Sequence, residues 1–292
     1  MNNQDIDVSG VKILSQNVKI GAHLPMSGGL EQMVNLANAL RLEAVQFFSR
    51  SPRGGRVRQF GRAEAQQFQQ AVQASSLQTL VVHIPYIVNP ASPSEQLYHL
   101  AEDLVLEDLN RADQLGAHFL VLHPGAYTTS TREEGQQRLI KLINTVLTRF
   151  AGETQLLLEN ISGKGTEIGG SLEELQVIME HVPASVGLCL DTCHAFAFGY
   201  DLSSPEGFDE FSAQLEQTVG WSRVRLVHAN DSQGQLGSRV DRHAHIGEGM
   251  IGAEGFTRLL HHPLLRKLPF ILETPFEGVP ADIQRLRELS EG

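Results

Sequence analysis

The fold is decided by a pattern that is complete within residues 156–191, LLLENISGKGTEIGGSLEELQVIMEHVPASVGLCLD. Two short runs, LLLE (156–159) and VGLCLD (186–191), are apolar at successive positions, as expected of parallel strands that are covered on both faces. Between them, SLEELQVIMEH (171–181) has the apolar spacing of an amphipathic helix. Ser171, followed by a glutamate three residues later, is typical of a helix start. The stretch therefore predicts one strand–helix–strand unit.

The same alternation continues along the whole chain. Eight apolar runs are each too short for a helix: VKIGAH (18–23), AVQFF (44–48), LVVH (80–83), FLVLH (119–123), LLLE (156–159), VGLCLD (186–191), VRLVH (224–228) and FILE (270–273). Helical segments separate the runs, and starts are predicted at Ser92 and Ser130, where a glutamate again follows three residues later. Eight such units predict an α/β fold, a single (β/α)8 TIM barrel. A doubly wound open sheet is the alternative, because a sequence does not show closure.

The bulk composition describes a folded protein and restricts its partners. Of 292 residues, 41% are hydrophobic and 20% are charged, an ordinary balance for a chain that forms a core. The formal net charge of −11 by itself argues against nucleic acid, whose affinity depends on phosphate neutralisation by Lys and Arg. Residues 1–18 lack the pattern of a signal peptide, no apolar run approaches a membrane span, and two cysteines cannot make a disulfide framework. We expect a cytoplasmic protein with no membrane partner.

A metal-ligand residue type occupies the last position of six successive runs. These residues are His83, His123, Glu159, Asp191, His228 and Glu273. In a barrel the carboxyl ends of the strands converge on one face, where such enzymes carry out their chemistry. One polar residue at a strand end is ordinarily a hydrogen-bonded structural group. Six in series would leave neighbouring carboxylates and unsatisfied polar groups without a cation, so the pattern predicts a polynuclear metal site.

Two more segments bring ligand types to this face. DTCH places His194 three residues after a strand-end aspartate, and DRHAHIGEG (241–249) alternates Asp241, His243 and His245. In an extended segment Asp241 and His243 point the same way and would bind one ion together with His194. For His245 we expect a loop-ordering role rather than coordination. Nine ligands predict two or three divalent ions, zinc or manganese by their donor types, and clustered ions of this kind favour phosphate-ester hydrolysis.

Five segments resemble endonuclease IV. They are GAHLPMSGGL at the first strand, LVLHPGA at the fourth, CLDTCHAFAFGYD at the sixth, VHANDSQGQLGSRVDRHAHIGEGMIG at and beyond the seventh, and ILETP at the eighth. That family is a barrel enzyme with three zinc ions that cleaves DNA on the 5′ side of an abasic site. It leaves a 3′-hydroxyl and a 5′-deoxyribose phosphate, and it also trims blocked 3′ ends. The resemblance implies a catalytic barrel over residues 19–292 and leaves a polar N-terminal extension, residues 1–18, outside it.

The resemblance also implies how the ligands are shared among the ions. The first zinc would be held by His83, His123 and Glu159, the second by Glu159, Asp191, His228 and Glu273, and the third by His194, Asp241 and His243. The donor types, as distinct from the resemblance, also suit manganese in part of these sites. Glu159 is the implied catalytic residue, because it would bridge the first two ions and orient the hydroxide that attacks phosphorus.

Contacts to double-stranded DNA with abasic sites or blocked 3′ ends are implied on the same rim. HIPYIVN places Tyr86 and Ile87 after a ligand strand, where the family has a tyrosine and an apolar wedge. The loop RSPRGGRVRQFGR (50–62) is the densest basic stretch, and Arg53 is nearest to the family's inserted arginine. This local positive charge, together with three dications, answers the objection from the net charge. No obligate protein partner is inferred.

Two other functions stay open at this point. A metal-dependent sugar isomerase or epimerase on the same type of barrel is the first, although it normally needs fewer ions than nine ligands indicate. A catalytically silent protein that binds DNA ends or metal is the second, and the complete ligand set argues against it.

Overall fold

Eight parallel strands close into one barrel in the computed structural model, which describes residues 18–51 and 59–292. The strands in chain order are β1 (Lys19–His23), β2 (Ala44–Phe48), β3 (Thr79–His83), β4 (Phe119–Leu122), β5 (Gln155–Glu159), β6 (Gly187–Asp191), β7 (Val224–His228), β8 (Asp231–Ser232), β9 (His243–Ala244) and β10 (Pro269–Leu272). β8 and β9 form a separate antiparallel pair, and β10 closes the barrel on β1, with Lys19 opposite Pro269. The predicted (β/α)8 barrel is confirmed, and the open-sheet alternative is wrong.

The helices of the described residues alternate with the barrel strands. They are α1 (Leu30–Ala39), α2 (Arg62–Gln73), α3 (Glu95–Gln114), α4 (Arg132–Arg149), α5 (Leu172–Glu180), α6 (Thr192–Phe198), α7 (Pro205–Gln217), α8 (Gly252–His261) and α9 (Val279–Glu291). Short 3-10 turns lie at Trp221–Arg223, Leu265–Lys267 and Phe276–Gly278. Among these helices none has both the length and the apolar character needed to span a bilayer.

Two predicted helix starts are displaced in the structure. Helix α3 is capped by Ser94, whose side chain accepts from the Leu97 amide, and not by Ser92. Helix α4 is capped by Thr131, and its partner in a complete capping box is Glu134. The neighbouring Ser130 hydroxyl instead donates to the Tyr127 carbonyl, so the loop before the helix decides which of two adjacent hydroxyl residues becomes the cap. The predicted cap at Ser171 is correct.

An inner apolar layer fills the barrel beneath the strand ends. It is separate from the larger layer between strands and helices, and its buried members are Ala44, Val81, Val121, Leu157, Cys189, Leu226 and Ile271. Six of these residues lie two positions before a predicted strand-end ligand. Because side chains two apart in a strand point to the same side, the ligands also point into the barrel, above this layer.

Two sequence predictions lie outside the described residues. The polar extension over residues 1–18 falls outside them except for Val18, which is buried. Arg53 also belongs to a part of the chain, residues 52–58, that the structure does not describe.

Candidate metal centre

The Glu159 carboxylate lies at the centre of the strand-end cluster and is buried. Its Oε2 is 3.1 Å from Nε2 of His83 and 3.2 Å from Nε2 of His123. Its Oε1 is 3.1 Å from Nδ1 of His228 and 3.3 Å from Nδ1 of His194. One carboxylate therefore faces four imidazoles from four parts of the rim, a position from which each oxygen can serve a different cation.

Two more carboxylates surround His228 on the other side of Glu159. The His228 Nδ1 lies 3.3 Å from Oε2 of Glu273 and 3.9 Å from Oδ2 of Asp191. Glu159, Asp191, His228 and Glu273 each offer a ligand atom, and all four atoms lie within 4.8 Å of one another. This group has the donors and spacing for one divalent cation.

A separate group is formed by residues of the loop beyond β7 and of α6. Nε2 of His194 and Nε2 of His243 lie 3.3 Å and 3.5 Å from the same oxygen of Asp241. Across the cluster, the rings of His83 and His123 are 5.1 Å apart and share Oε2 of Glu159. All nine residues singled out from the sequence thus meet in one cluster.

Helix α6 begins directly at a strand end, and this places two ligand types three residues apart. Asp191 is both the last residue of β6 and the N-cap of α6, since its Oδ1 accepts the His194 amide at 2.7 Å. Because the first helical turn starts at once, His194 stays buried at the rim. Its partner carboxylate, Asp241, arrives from a loop that is far away in sequence.

In two histidines, a hydrogen bond on the side of the ring away from the cluster determines which ring nitrogen faces the cluster. Nδ1–H of His83 donates to the Ile84 carbonyl at 2.6 Å, and Nδ1 of His243 pairs with the Glu273 carbonyl at 3.2 Å. This leaves Nε2 of each ring directed to the cluster. Nε2 of His243 is buried and has no hydrogen-bond partner among the described atoms. An orphaned imidazole nitrogen beside a carboxylate is the arrangement that a cation would satisfy, so the donor set fits a metal.

Neighbouring charges favour the ionised forms of Glu159, Asp241, His194 and His228, whereas burial raises the pKa of Asp191. Burial alone would raise the pKa of Glu159, yet the imidazoles of His228 and His123 bring it well below its usual value. Burial likewise raises the pKa of Asp241, but the hydrogen bond from His194 brings it down to about 2. For His194 and His228 burial lowers the pKa, and the surrounding acids reverse this, so that both pKa values lie well above 6.5. A cation would replace these protons.

A cavity of about 310 Å³ opens over the cluster. Its wall includes Tyr86, which is 66% exposed, and the neighbouring Ile87 is 56% exposed. His23, Phe48 and Thr274 complete the wall beside the candidate ligands. An exposed aromatic and an exposed aliphatic side chain therefore stand at the mouth of the cavity.

The basic loop of the sequence has a different role at its first residue. Arg50 donates from Nε to both oxygens of the buried Asp108 on α3, at 2.9 Å each, and its side chain is 7% exposed. Ser49 also donates to Asp108, at 2.8 Å. Arg50 therefore anchors the start of the loop to α3 and is not free for phosphate contact.

His245 points away from the nine candidate ligands. Its Nδ1–H donates to Asp282 of α9 at 2.8 Å, and the same carboxylate accepts from the Ile246 amide and the Thr274 hydroxyl. This contact ties the loop DRHAHIGEG (241–249), here called the histidine loop, to the segment that follows β10.

Sequence reasoning missed three buried polar residues around the cluster. Gln46 bridges His228 and Glu273, Asn230 donates to Asp191 at 2.7 Å, and Asp231 accepts from backbone amides of the histidine loop. Gln46 did carry a signal, because it is the single polar residue in the run AVQFF. The two others follow the strand-end histidine of β7 but resemble ordinary loop residues.

The barrel with a rim of imidazoles and carboxylates defines a class of proteins. Residues 34–289 match the family described as xylose isomerase-like TIM barrel, so the chain belongs to that class.

Within the class, the relatives are endonucleases by name. The chain is 41% identical over 275 residues to probable endonuclease 4 of Carboxydothermus hydrogenoformans, covering 94% of this chain and 97% of that protein. It is 40% identical to probable endonuclease 4 of Methanoculleus marisnigri, covering 94% and 99%. The crystal structure of endonuclease IV from Thermus thermophilus superposes with a TM-score of 0.83 at 35% identity, covering 94% and 99%. The chain therefore belongs to the endonuclease IV family.

Proposed function

We propose that the protein is a DNA-repair endonuclease that hydrolyses the phosphodiester 5′ to an abasic site in duplex DNA. The products are a 3′-hydroxyl and a 5′-deoxyribose phosphate, and blocked 3′ ends are further substrates. The observation that carries this proposal is the Glu159 carboxylate among four imidazoles, next to the group that it forms with Asp191, His228 and Glu273. Family membership agrees with a nuclease. The proposed catalytic domain is the barrel over residues 19–292.

Three zinc ions are the proposed cofactor, with manganese in part of the sites. The donors are five imidazoles and four carboxylates, a mixture that suits these metals better than the all-oxygen preference of magnesium or calcium. The sets are His83, His123 and Glu159; Glu159, Asp191, His228 and Glu273; and His194, Asp241 and His243. Bound dications supply an activated water at neutral pH and neutralise charge that develops on the phosphate oxygens.

Glu159 is the proposed catalytic residue. Its carboxylate is ionised, buried and directed to the cavity floor, and its two oxygens face different ligand groups. A carboxylate held in this way orients the attacking water by accepting its hydrogen bond. No hydroxyl or thiol nucleophile is needed for this chemistry.

The size of the cavity supports an extruded nucleotide as the substrate. A volume of about 310 Å³ is at the lower end of the range for small-ligand sites, about 300–1,000 Å³, and cannot admit a duplex. A nucleotide that leaves the helix would fit such a cavity, and an abasic sugar is the nucleotide that loses the least stacking when it does so. Tyr86 and Ile87 at the mouth would enter the duplex at the lesion, and Arg53 would contact phosphate.

The test is incision of a duplex with a single abasic site, with metal quantified in the same preparation. We expect incision that a strong chelator abolishes and about three zinc ions per chain. Glu159→Gln should lose nearly all incision while keeping the circular dichroism spectrum of the folded protein. Glu180→Gln, an exposed surface change on α5, is the matched control and should behave as the parent. Ketose–aldose turnover by metal-loaded protein that leaves abasic DNA intact would contradict the proposal and favour a sugar isomerase.

A further inference from the structure

Gln46 joins three separate parts of the rim although its own strand carries none of the nine candidate ligands. It lies in β2, is fully buried, and follows the inner-layer residue Ala44 by two positions, so its side chain points into the barrel. Its Nε2 donates to Oε1 of Glu273 at 2.6 Å and to Nδ1 of His23 at 3.1 Å. Its Oε1 lies 2.8 Å from Nε2 of His228.

The contact with Glu273 decides which way the amide faces. A carboxylate that serves as a metal ligand offers only acceptor oxygens, and Glu273 is one of the nine candidate ligands. The Gln46 atom at 2.6 Å from that carboxylate must therefore be the NH₂ group, because the carbonyl would be repelled. The carbonyl oxygen then faces His228, which must donate to it from Nε2.

This hydrogen bond decides which nitrogen of His228 is available to a cation. With the hydrogen held on Nε2, a neutral His228 has its lone pair on Nδ1, the nitrogen that faces Glu159, Asp191 and Glu273. Nδ1 of His23 accepts the second N–H of the amide, so both N–H bonds and the carbonyl of Gln46 are engaged. The amide therefore cannot turn without breaking all three contacts.

We propose that Gln46 is a positioning residue of the metal centre. It acts through His228 and Glu273 to hold the cation of the group that Glu159, Asp191, His228 and Glu273 form. This inference rests on the metal centre of the proposed function. An amide in the interior of an apolar strand costs desolvation that a leucine would avoid, and all three partners of the amide lie at the rim. The amide is therefore expected to serve the ligand geometry more than the stability of the barrel.

The test compares Gln46→Leu, which keeps volume and removes the hydrogen bonds, with Val45→Ala on the same strand. Val45 is buried in the layer between strands and helices, so its truncation weakens packing without touching the ligands. Each protein is loaded with zinc, and the rate of zinc transfer to a chromogenic chelator is followed. We expect Gln46→Leu to release one ion about 10- to 100-fold faster than the parent, and Val45→Ala to release all ions at the parent rate.

Two further measurements separate positioning from a merely structural role. In the metal-free state Gln46→Leu should unfold at a temperature no lower than Val45→Ala. In a crystal structure of the zinc-loaded parent, Nδ1 of His228 should be the coordinating nitrogen and Nε2 should contact Gln46. Coordination through Nε2, or parent-like zinc release by Gln46→Leu, would overturn the role of Gln46. Those two results would leave the proposed function standing. A parent protein that binds no zinc would instead contradict the proposed function, and with it the role of Gln46.

Discussion

Asp231 and Gly249 are in direct contact, and their contact fixes the loop that carries Asp241 and His243. The Gly249 amide donates to Oδ2 of Asp231 at 3.0 Å, and a Cβ on Gly249 would lie 2.5 Å from Oδ1 of Asp231. The same buried carboxylate also accepts from the amides of Ser232, Gly247, Ile251 and Gly252. Asp231, the first residue of β8, thus holds the far end of the histidine loop by its backbone.

This contact predicts the effect of a single added methyl group. Gly249→Ala forces a Cβ against Asp231 and against the Ser232 carbonyl, also at 2.5 Å, so the loop must shift. We expect the free energy of unfolding to fall by about 1–3 kcal/mol and the ion held by His194, Asp241 and His243 to be lost first. Denaturant unfolding and zinc content measure the two effects. Glu248→Ala, an exposed change at the adjacent position, is the control, and equal zinc content in both variants would count against the role of this loop.

The charged imidazoles predict opposite pH dependences for metal-free and metal-loaded protein. The folded-state pKa values of His194 and His228 are raised well above 6.5, so their contribution to stability is complete below about pH 6.5 and is lost as the pH rises through the raised values. The pKa values of Asp241 and Glu273 are lowered to about 2, so their contribution is present above about pH 4 and is lost as the pH falls toward 2. Metal-free protein should therefore be most stable between about pH 4.5 and 6.5.

Zinc-loaded protein should instead gain stability as the pH rises from 6 to 8, because the cation competes with protons for the imidazoles. Melting temperatures measured across this pH range, with and without zinc, give the two pH dependences to be compared. His181→Gln removes an exposed histidine at the end of α5 and should leave both slopes unchanged. Parallel slopes for the two forms would show that these imidazoles do not bind zinc.

Tyr86 should affect DNA and not the metal centre. Its side chain is 66% exposed at the cavity mouth, so Tyr86→Ala removes little packing and none of the nine candidate ligands. We expect unchanged zinc content and melting temperature, and affinity for abasic duplex weakened by about 1–3 kcal/mol, the usual value of one aromatic–base stack. Fluorescence anisotropy with a labelled abasic duplex, in the presence of a divalent metal that does not support incision, measures this affinity. Leu100→Ala, an exposed apolar change on α3, should leave the affinity at the parent value; a parent-like Tyr86→Ala would remove this residue from the DNA interface.

His243 and His245 should respond differently to the same substitution. His243→Gln removes the orphaned Nε2 beside Asp241 and should lower zinc content by about one ion per chain. His245→Gln breaks the contact with Asp282 and should keep all zinc, at a cost of about 1–2 kcal/mol in the free energy of unfolding. Elemental analysis and chemical denaturation of the two variants make the comparison. Zinc loss of equal size in both would place His245 among the ligands.

The strands and the strand-end ligands could be predicted because both are local properties of the chain. Each apolar run corresponds to a barrel strand to within one residue at either end. The helix starts at Ser92 and Ser130 were wrong, because several hydroxyl residues compete there and the loop geometry selects one of them. The positive charge that the basic loop offers to DNA is smaller than the sequence suggests, because the guanidinium of Arg50 is paired with Asp108. Nothing in the local sequence indicates this pairing, since Asp108 lies far away along the chain.

The amino-acid sequence by itself determined the order of strands and helices and the residue type at each strand end. It also determined that there are eight strand–helix units, the number that a closed (β/α)8 barrel needs. These follow from hydrophobic spacing and side-chain chemistry, which need no knowledge of distant partners. Only the tertiary structure decided which nitrogen of each histidine faces the cluster, and that Gln46 and Asp231 support it. Those outcomes depend on hydrogen bonds between residues as far apart as Gln46 and His228, and such bonds exist only once the barrel has closed.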